Sequence, residues 1–397
     1  MKKTIDILLA AAMLLPAVSC SEWTEVEVLG GIHPTEGGEF TQYIPNEDKQ
    51  AYYAALREYK KTDHPISFGW YSSWAPVEND SFGIGPGSMT GLPDSLDMVS
   101  LWLVYPDLNK DLTEVQKRDL DMARNERGLK VLFCLVEANL GAQITPAQPE
   151  GSELSTDAWR QKYWKVDELG WEEASYQYGL ALGKWITEAG YDGFDYDFEP
   201  NFGHTGTLAS HPARVQRFLE GMSEYFGPNA RGEGETVFTH GKVLMVDGEP
   251  QTLNSSLGRL IDYYNIQAYY CSGYSNLDTR FRNLINKFGP GTECNETIEE
   301  IHRKVIWCED FENNSYRDGG ANFSKRNGGS CKSLYGMSTW HYPGYEDVRI
   351  GGAGAFKFNL VYERIPAGSI YGNWHYIRES IQAMNPARTD GKQEQED

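Results

Sequence analysis

Eight apolar, strand-like runs alternate with amphipathic helical stretches along most of the chain, and this alternation constrains the fold more than any other feature. The helical stretches cover residues 113–127, 171–189, 212–226, 276–288 and 371–384. Parallel strands that are covered by helices are buried on both faces, which explains why the runs are almost continuously apolar. The pattern predicts an α/β fold, a (β/α)8 TIM barrel. The eight runs are 64–74, 96–105, 129–139, 191–200, 242–248, 263–270, 304–312 and 353–363.

The same pattern predicts one barrel domain over residues 61–386. An open, doubly wound sheet is the alternative, but no glycine-rich phosphate loop follows the first run. Residues 21–60 are expected to form a lead-in segment and a helix. Residues 313–354, rich in Gly, Asn and Ser, predict an inserted loop region between strands seven and eight, and the polar tail, 387–397, is expected to be disordered.

Residues 1–20 have the composition of a targeting segment. Two lysines precede the apolar run ILLAAAMLLPAV, which is too short to span a bilayer and leads into AVSC, ending at Cys20. This resembles a bacterial lipoprotein signal, with cleavage before Cys20 and lipidation of that residue. An ordinary secretory signal with an incidental cysteine is the alternative. We expect a cell-envelope protein, anchored to the outer membrane through lipid and exposed at the cell surface.

Charge and composition limit the kinds of ligand that the protein is expected to bind. A formal net charge of −21 without any basic block excludes nucleic acid as a partner, because binding it requires Lys and Arg to neutralise phosphates. The eight histidines lack ligand spacing, and no C-x-x-C pair occurs among the five cysteines after Cys20. We predict no metal site and no cofactor, and we expect a monomer. Whether these cysteines pair is open.

Aromatic residues near strand ends are candidates for sugar binding, since an aromatic face complements the apolar face of a pyranose. Among the 11 Trp, Trp70 and Trp374 are expected to bind substrate, with Trp374 as the floor under a bound sugar. Plain core packing is the alternative for Trp374. Glu309 and Asp310, at the end of the seventh strand, are interpreted as a solvated loop pair rather than as ligands for glycan hydroxyls.

The fourth run, YDGFDYDFEP, carries acidic residues on a strand. Successive strand residues face opposite sides, so Asp195, Asp197 and Glu199 share one face and aromatic residues share the other. Carboxyl groups in a line are not how a sheet builds its core. Glu199 ends the strand, where TIM-barrel active sites lie. Neighbouring carboxyl groups in a poorly solvated site retain protons, and a protonated Glu at the rim is a general acid.

Residues 192–199 match, without departure, the D-G-x-D-x-D-x-E signature of glycoside hydrolase family 18, and the chain from about residue 60 to 386 resembles that family. The resemblance implies that Glu199 is the acid/base, that Asp197 orients the substrate's 2-acetamido group, and that Asp195 shares a proton with Asp197. It also implies a retaining, substrate-assisted reaction through an oxazolinium intermediate. Asp192 has the opposite strand parity and is interpreted as structural.

The sixth strand suggests the substrate. Gln267 and Tyr269 resemble the Q-x-Y of bacterial endo-β-N-acetylglucosaminidases, which cut the chitobiose core of N-glycans and include surface lipoproteins of Bacteroides-type bacteria. Chitinase motifs S-x-G-G and M-x-Y-D are absent from the corresponding strands. Period two places Asn265 on the same face, so Gln267 and Tyr269 are expected to reach the acetamido carbonyl and Asn265 to bind substrate. Two residues of an ordinary packed strand are the alternative.

The resemblance thus implies N-linked glycans of glycoproteins as substrates. A chitinase-like hydrolase and a non-catalytic glycan-binding lipoprotein are the alternatives. The presence of Glu199, Asp197 and Asp195 together favours an enzyme, because degenerate members of such families lose the acid or its partner.

Overall fold

The computed structural model describes residues 32–34, 40–42, 46–76, 86–103 and 105–386, with side chains from residue 49 onward except that of residue 315. Within the lead-in segment, two short strands, Ile32–Pro34 and Phe40–Gln42, pair in antiparallel fashion, and helix α1 covers Asn46–Tyr59. The predicted signal segment with Cys20 and the predicted tail lie outside the described residues.

Eight parallel strands close into a barrel in which each strand pairs with its neighbours in the chain and the last pairs with the first. This confirms the predicted (β/α)8 TIM barrel. Gly352 lies where the last strand approaches the first so closely that a Cβ atom there would lie 2.0 Å from the carbonyl oxygen of Ile66. The strands are β1 Ile66–Tyr71, β2 Met98–Leu101, β3 Lys130–Leu135, β4 Gly193–Phe198, β5 Val243–Gly248, β6 Tyr263–Gln267, β7 Val305–Asp310 and β8 Gly352–Phe356.

Helices cover the outside of the barrel, although the alternation is incomplete. In the part of the chain that the structure describes, β1 and β5 are followed only by short 3-10 turns, such as Met89–Gly91 and Ser255–Leu260. None of the described helices is both long enough and apolar enough to cross a bilayer. The remaining helices are α2 Glu114–Asp121, which continues as a π-helical turn over Met122–Glu126, α3 Thr156–Tyr163, α4 Val166–Leu169, α5 Trp171–Glu188, α6 Pro212–Met222, α7 Val237–His240, α8 Tyr274–Phe288, α9 Ile298–Lys304, α10 Ser333–Ser338 and α11 His375–Met384.

Strand parity divides the core into two layers. On β4, the aromatic face points outward, where Phe194 and Tyr196 pack edge-on against Phe218 of α6, and Tyr178 of α5 stacks on the same ring. The opposite face of β4 points into the barrel interior, among apolar side chains such as Met245. The sequence prediction of an outer aromatic face and an inner acidic face is confirmed.

The segment between β7 and β8 contains more regular structure than an inserted loop. Strands Asn322–Ser324 and Ser330–Lys332 form an antiparallel pair, and α10 follows them. Glu309 is fully buried and accepts hydrogen bonds from the backbone N–H of Tyr270 at 2.8 Å and from the Ser333 hydroxyl. Asp310 is also buried, so the interpretation of Glu309 and Asp310 as a solvated loop pair was wrong. The five cysteines after Cys20 are free thiols.

Candidate active site

Three acidic side chains rise along the interior of β4 towards the mouth of the barrel. Asp195 is fully buried, Asp197 is 8% exposed, and the side chain of Glu199, just past the strand end, is 17% exposed. Exposure therefore increases towards the carboxyl end, where TIM-barrel enzymes bind substrate. Asp192 points elsewhere: it accepts hydrogen bonds from Arg124 at 2.6 Å and from the Val131 backbone at 2.8 Å, which is a structural role.

Asp195, the deepest of the three acids, is held by two donors. Its Oδ2 accepts hydrogen bonds from Trp70 Nε1 at 3.0 Å and from the Ser100 hydroxyl at 2.7 Å. Burial nevertheless raises the pKa of Asp195 to about 6. The prediction that Trp70 binds substrate is corrected by this contact: Trp70 is 4% exposed, and its indole N–H is used by Asp195.

A fourth carboxyl group, Asp247 at the carboxyl end of β5, belongs to the same cluster and was missed by the sequence analysis. Asp247 pairs in register with Asp197 and is fully buried. Its Oδ1 accepts a hydrogen bond from Gln267 Nε2 at 2.8 Å. Burial, reinforced by the charges of Asp197 and Asp195, raises the pKa of Asp247 well above its usual value. The available signal was an acid ending the apolar run KVLMV.

The carboxyl groups hold protons because they lie close together in a poorly solvated interior. Burial first, and then the charges of Glu199 and Asp195, raise the pKa of Asp197 to about 8. If all three groups were ionised and could only accept hydrogen bonds, one oxygen each of Asp195, Asp197 and Asp247 would be buried without a partner. A hydrogen bond between two carboxyl groups requires a proton on one of them, so retained protons satisfy these oxygens.

The predicted residues of β6 lie at different depths. Asn265 is fully buried; its Nδ2 lies 3.2 Å from Met245 Sδ, and its Oδ1 accepts from the Cys308 thiol at 2.9 Å. The prediction that Asn265 binds substrate is therefore corrected, because its amide is used inside the barrel. Tyr269 lies just past β6, with its ring stacked 6.3 Å from Phe356. Burial raises the pKa of Tyr269 well above its usual value, so the phenol remains a hydrogen-bond donor.

The aromatic surface at the mouth differs from the predicted one. Trp374 is 1% exposed, donates from Nε1 to the Gly91 carbonyl at 2.8 Å and packs against Phe358 in the outer layer. The prediction of Trp374 as a sugar floor was wrong, and core packing describes it. Instead, Trp102 after β2 meets Phe356 of β8 edge-on with ring centroids 5.0 Å apart. The Lys357 ammonium lies 5.2 Å from the Trp102 ring.

The loop after β4 brings further polar groups to the acid. His204 Nδ1 lies 3.8 Å from an oxygen of Asp197 and 3.8 Å from an oxygen of Glu199. The backbone N–H and the side-chain amide of Asn201 donate to the carboxylate of Glu249 at 2.8 and 3.0 Å. These contacts fix the chain that carries Glu199. The sequence analysis missed His204 and Glu249, since a lone His and a lone Glu carry no spacing signal.

The barrel has eight parallel strands, and a row of carboxyl groups along the fourth strand ends at Glu199, which is partly exposed at the mouth. This combination defines the class of TIM-barrel glycoside hydrolases. The family model "Glycoside hydrolase family 18, BT1044-like" matches residues 35–383. The chain therefore belongs to glycoside hydrolase family 18, as the signature on β4 predicted, and the family model places it in the BT1044-like group.

Two similar proteins can be named. The chain is 30% identical over 181 residues to Endo-beta-N-acetylglucosaminidase F2 of Elizabethkingia meningoseptica, a match that spans 46% of this chain and 45% of that protein. The chain thus matches less than half the length of this curated relative. The solved structure of selenomethionine BT1044 is 27% identical, with a TM-score of 0.66, and the match covers 87% of this chain and 96% of that one.

Proposed function

We propose that this family 18 hydrolase is a retaining endo-β-N-acetylglucosaminidase that cuts between the two core N-acetylglucosamines of N-glycans. The observation that supports it is the arrangement of β6: Gln267 is bonded to the buried carboxyl cluster through Asp247, and Tyr269 follows at the mouth. This Q-x-Y arrangement stands where chitinases of the family carry M-x-Y-D. The matched part of the curated endoglycosidase supports the same substrate class.

The chemistry follows from the protonation of the cluster. Glu199 is the most exposed of the acids and donates a proton to the leaving glycosidic oxygen. The carbonyl oxygen of the 2-acetamido group of the substrate attacks the anomeric carbon and closes an oxazolinium ring. Asp197 accepts the ring N–H, whose positive charge its carboxylate stabilises. Glu199 then removes a proton from the water that opens the ring, which restores the β configuration.

Gln267 and Tyr269 orient the nucleophile. One of the two N–H groups of Gln267 Nε2 is used by Asp247, which leaves the other free to donate. The phenol of Tyr269 remains protonated and supplies a second donor. Both donors belong to the end of β6, two residues apart in the chain. Fixed donors of this kind stabilise the charge that develops in the transition state.

The test is mass spectrometry of a panel of N-glycoproteins after incubation with protein that lacks residues 1–20, with Glu199→Gln as the matched control. We expect an intact oligosaccharide to be released and one N-acetylglucosamine to remain on the asparagine. Degradation of chitotetraose with every glycoprotein unchanged would favour the chitinase alternative. Glycan binding without any cleavage would favour a non-catalytic binding protein.

We also propose that the chain is lipidated at Cys20, anchored in the outer membrane and active as a monomer at the cell surface. The support is the lipoprotein-like segment that ends in AVSC. Incorporation of labelled palmitate that is lost in Cys20→Ser, and sensitivity of intact cells to added protease, are the expected results. A monomer mass by light scattering is expected for the protein lacking residues 1–20.

A further inference from the structure

We propose that Asp247 is a positioning residue of the active site: as a neutral carboxylic acid it donates a hydrogen bond to the Asp195–Asp197 pair and accepts one from Gln267. The inference rests on the proposed function of the same site. It assigns a role to a strand, β5, on which the family signature places no residue. No bond is made or broken by Asp247, and its proton stays on its own oxygen.

The geometry places Asp247 between the two halves of the site. Its backbone pairs in register with Asp197 on one side and with Asn265 on the other. Its Oδ1 is committed to Gln267 Nε2 at 2.8 Å, and polar atoms of Asp195 and Asp247 lie within 4.8 Å of each other. Asp247 is thus linked both to the acids of β4 and to the residue proposed to hold the acetamido group.

The hydrogen-bond partners of the three carboxyl groups indicate that the proton is on Asp247. Oδ2 of Asp247 is buried without a partner, and so are Oδ1 of Asp195 and Oδ1 of Asp197. Oδ2 of Asp195 already has two donors, Trp70 and Ser100, whereas Asp247 has only the Gln267 amide. A proton on Asp247 Oδ2 therefore supplies a donor to oxygens that otherwise have none, and a buried polar atom without a partner is costly.

The titratable groups around Asp247 include two thiols, of which that of Cys308 donates to Asn265 at 2.9 Å. Burial raises the pKa of the Cys134 and Cys308 thiols well above their usual values, so both remain neutral. Among the described residues, the only basic side chain within 4.0 Å of a carboxyl oxygen of Asp195, Asp197 or Asp247 is that of His204, whose Nδ1 lies 3.8 Å from Asp197. The titratable groups that face Asp247 are Asp195, Asp197, Cys134, Cys308 and Tyr269.

The hydrogen bond from Asp247 affects the charge that Asp197 can carry during catalysis. Asp197 must carry a negative charge when the oxazolinium N–H forms, although burial opposes that charge. A hydrogen bond from Asp247 lowers the pKa of Asp197 and so keeps the carboxylate accessible. The second contact, to Gln267, fixes the side-chain amide through one of its two N–H groups. Loss of Asp247 should therefore impair turnover more than substrate binding.

The experiment compares Asp247→Leu and Asp247→Asn on the N-glycopeptide that the unsubstituted protein cleaves fastest. Asparagine can donate to Asp195 or Asp197 and accept from Gln267, whereas leucine has a similar shape and can do neither. We expect Asp247→Leu to lower kcat at least ~10-fold with little change in KM, and to move the acidic limb of the pH profile about one unit upward. Asp247→Asn should stay within ~3-fold and keep the acidic limb in place.

A control separates positioning from folding. Asp262 is buried at the start of β6, where it pairs with Arg231 and accepts from the Leu244 backbone at 3.0 Å. Asp262→Asn should lower thermal stability without moving the acidic limb. If Asp247→Leu does not fold, Asp247→Asn still decides, since a loss of ~10-fold or more in that variant overturns the inference.

The outcomes distinguish this inference from the proposed function. An inactive unsubstituted protein would overturn both. An active protein whose Asp247→Asn variant is as impaired as Asp247→Leu would overturn the inference alone, because a neutral donor would then not be what the site requires. A folded Asp247→Leu variant with unchanged kcat and an unchanged acidic limb would also overturn it.

Discussion

Glu137 contributes to the pH dependence of the barrel's stability, and Glu137→Gln should remove that contribution. Glu137 lies just past β3, is 1% exposed, and accepts hydrogen bonds from the Tyr178 hydroxyl at 2.7 Å and from the Ala142 backbone at 3.3 Å. Burial raises its pKa from an ordinary 4.5 to about 8. The folded protein therefore keeps a proton at neutral pH that the unfolded chain has already released.

The difference between the pKa of Glu137 in the folded and the unfolded protein sets the direction and the size of its effect on the free energy of unfolding. The contribution is fully present below the unfolded value near 4.5 and is lost as the pH rises through about 8. Each pH unit in this interval lowers the free energy of unfolding by about 1.4 kcal/mol, or roughly 4–5 kcal/mol across the whole interval. Glutamine cannot ionise, and its amide matches only one of the two donors, which costs about 1 kcal/mol at every pH.

Denaturant unfolding at pH 5 and pH 8 measures this effect. We expect Glu137→Gln to be slightly less stable than the unsubstituted protein at pH 5 and more stable by about 3 kcal/mol at pH 8. Glu168→Gln, at an exposed position, is the control and should leave the pH dependence unchanged. A Glu137→Gln variant with the same pH dependence as the unsubstituted protein would refute the reasoning.

Three further predictions concern the reaction. Glu199→Gln should lower turnover at least ~10²-fold while glycan binding is retained, measured by glycopeptide cleavage and calorimetry; equal activity would remove Glu199 from the mechanism. Tyr269→Phe should reduce kcat by the equivalent of about 2.7–4 kcal/mol with a much smaller change in KM, and a pure KM effect would speak against a transition-state role. A stable thiazoline analogue of the oxazolinium intermediate should inhibit, and proton NMR should detect the β anomer first; an initial α product would exclude substrate assistance.

Strand parity explains why so much of the site could be predicted. On β4, alternation alone separates Asp195, Asp197 and Glu199 from the aromatic residues that pack under α5 and α6. The family signature lies within that one strand, so no long-range contact was needed to interpret it. The eight apolar runs likewise predict the barrel, because parallel strands buried on both faces have few other arrangements.

The predictions that were wrong or missing concern side chains whose environment depends on distant parts of the chain. Asp247 joins the cluster only because β5 pairs in register with β4, which its local sequence does not reveal. Trp374 itself has a left-handed backbone conformation, with φ of 62°, where α11 begins. Its indole is thereby directed to Gly91 in the outer layer. Glu309 is buried by the Ser333 hydroxyl, 24 positions further along the chain.

The central claim is that Glu199 and Asp197 direct water to the anomeric carbon of the inner-core glycan bond and leave the asparagine linkage intact. Cleavage of a defined N-glycopeptide in water labelled with heavy oxygen tests this most directly, with both products weighed by mass spectrometry. We expect the label at the reducing end of the released oligosaccharide and an unlabelled peptide that keeps one N-acetylglucosamine. Label in the peptide, or a peptide that has lost both core sugars, would contradict the account.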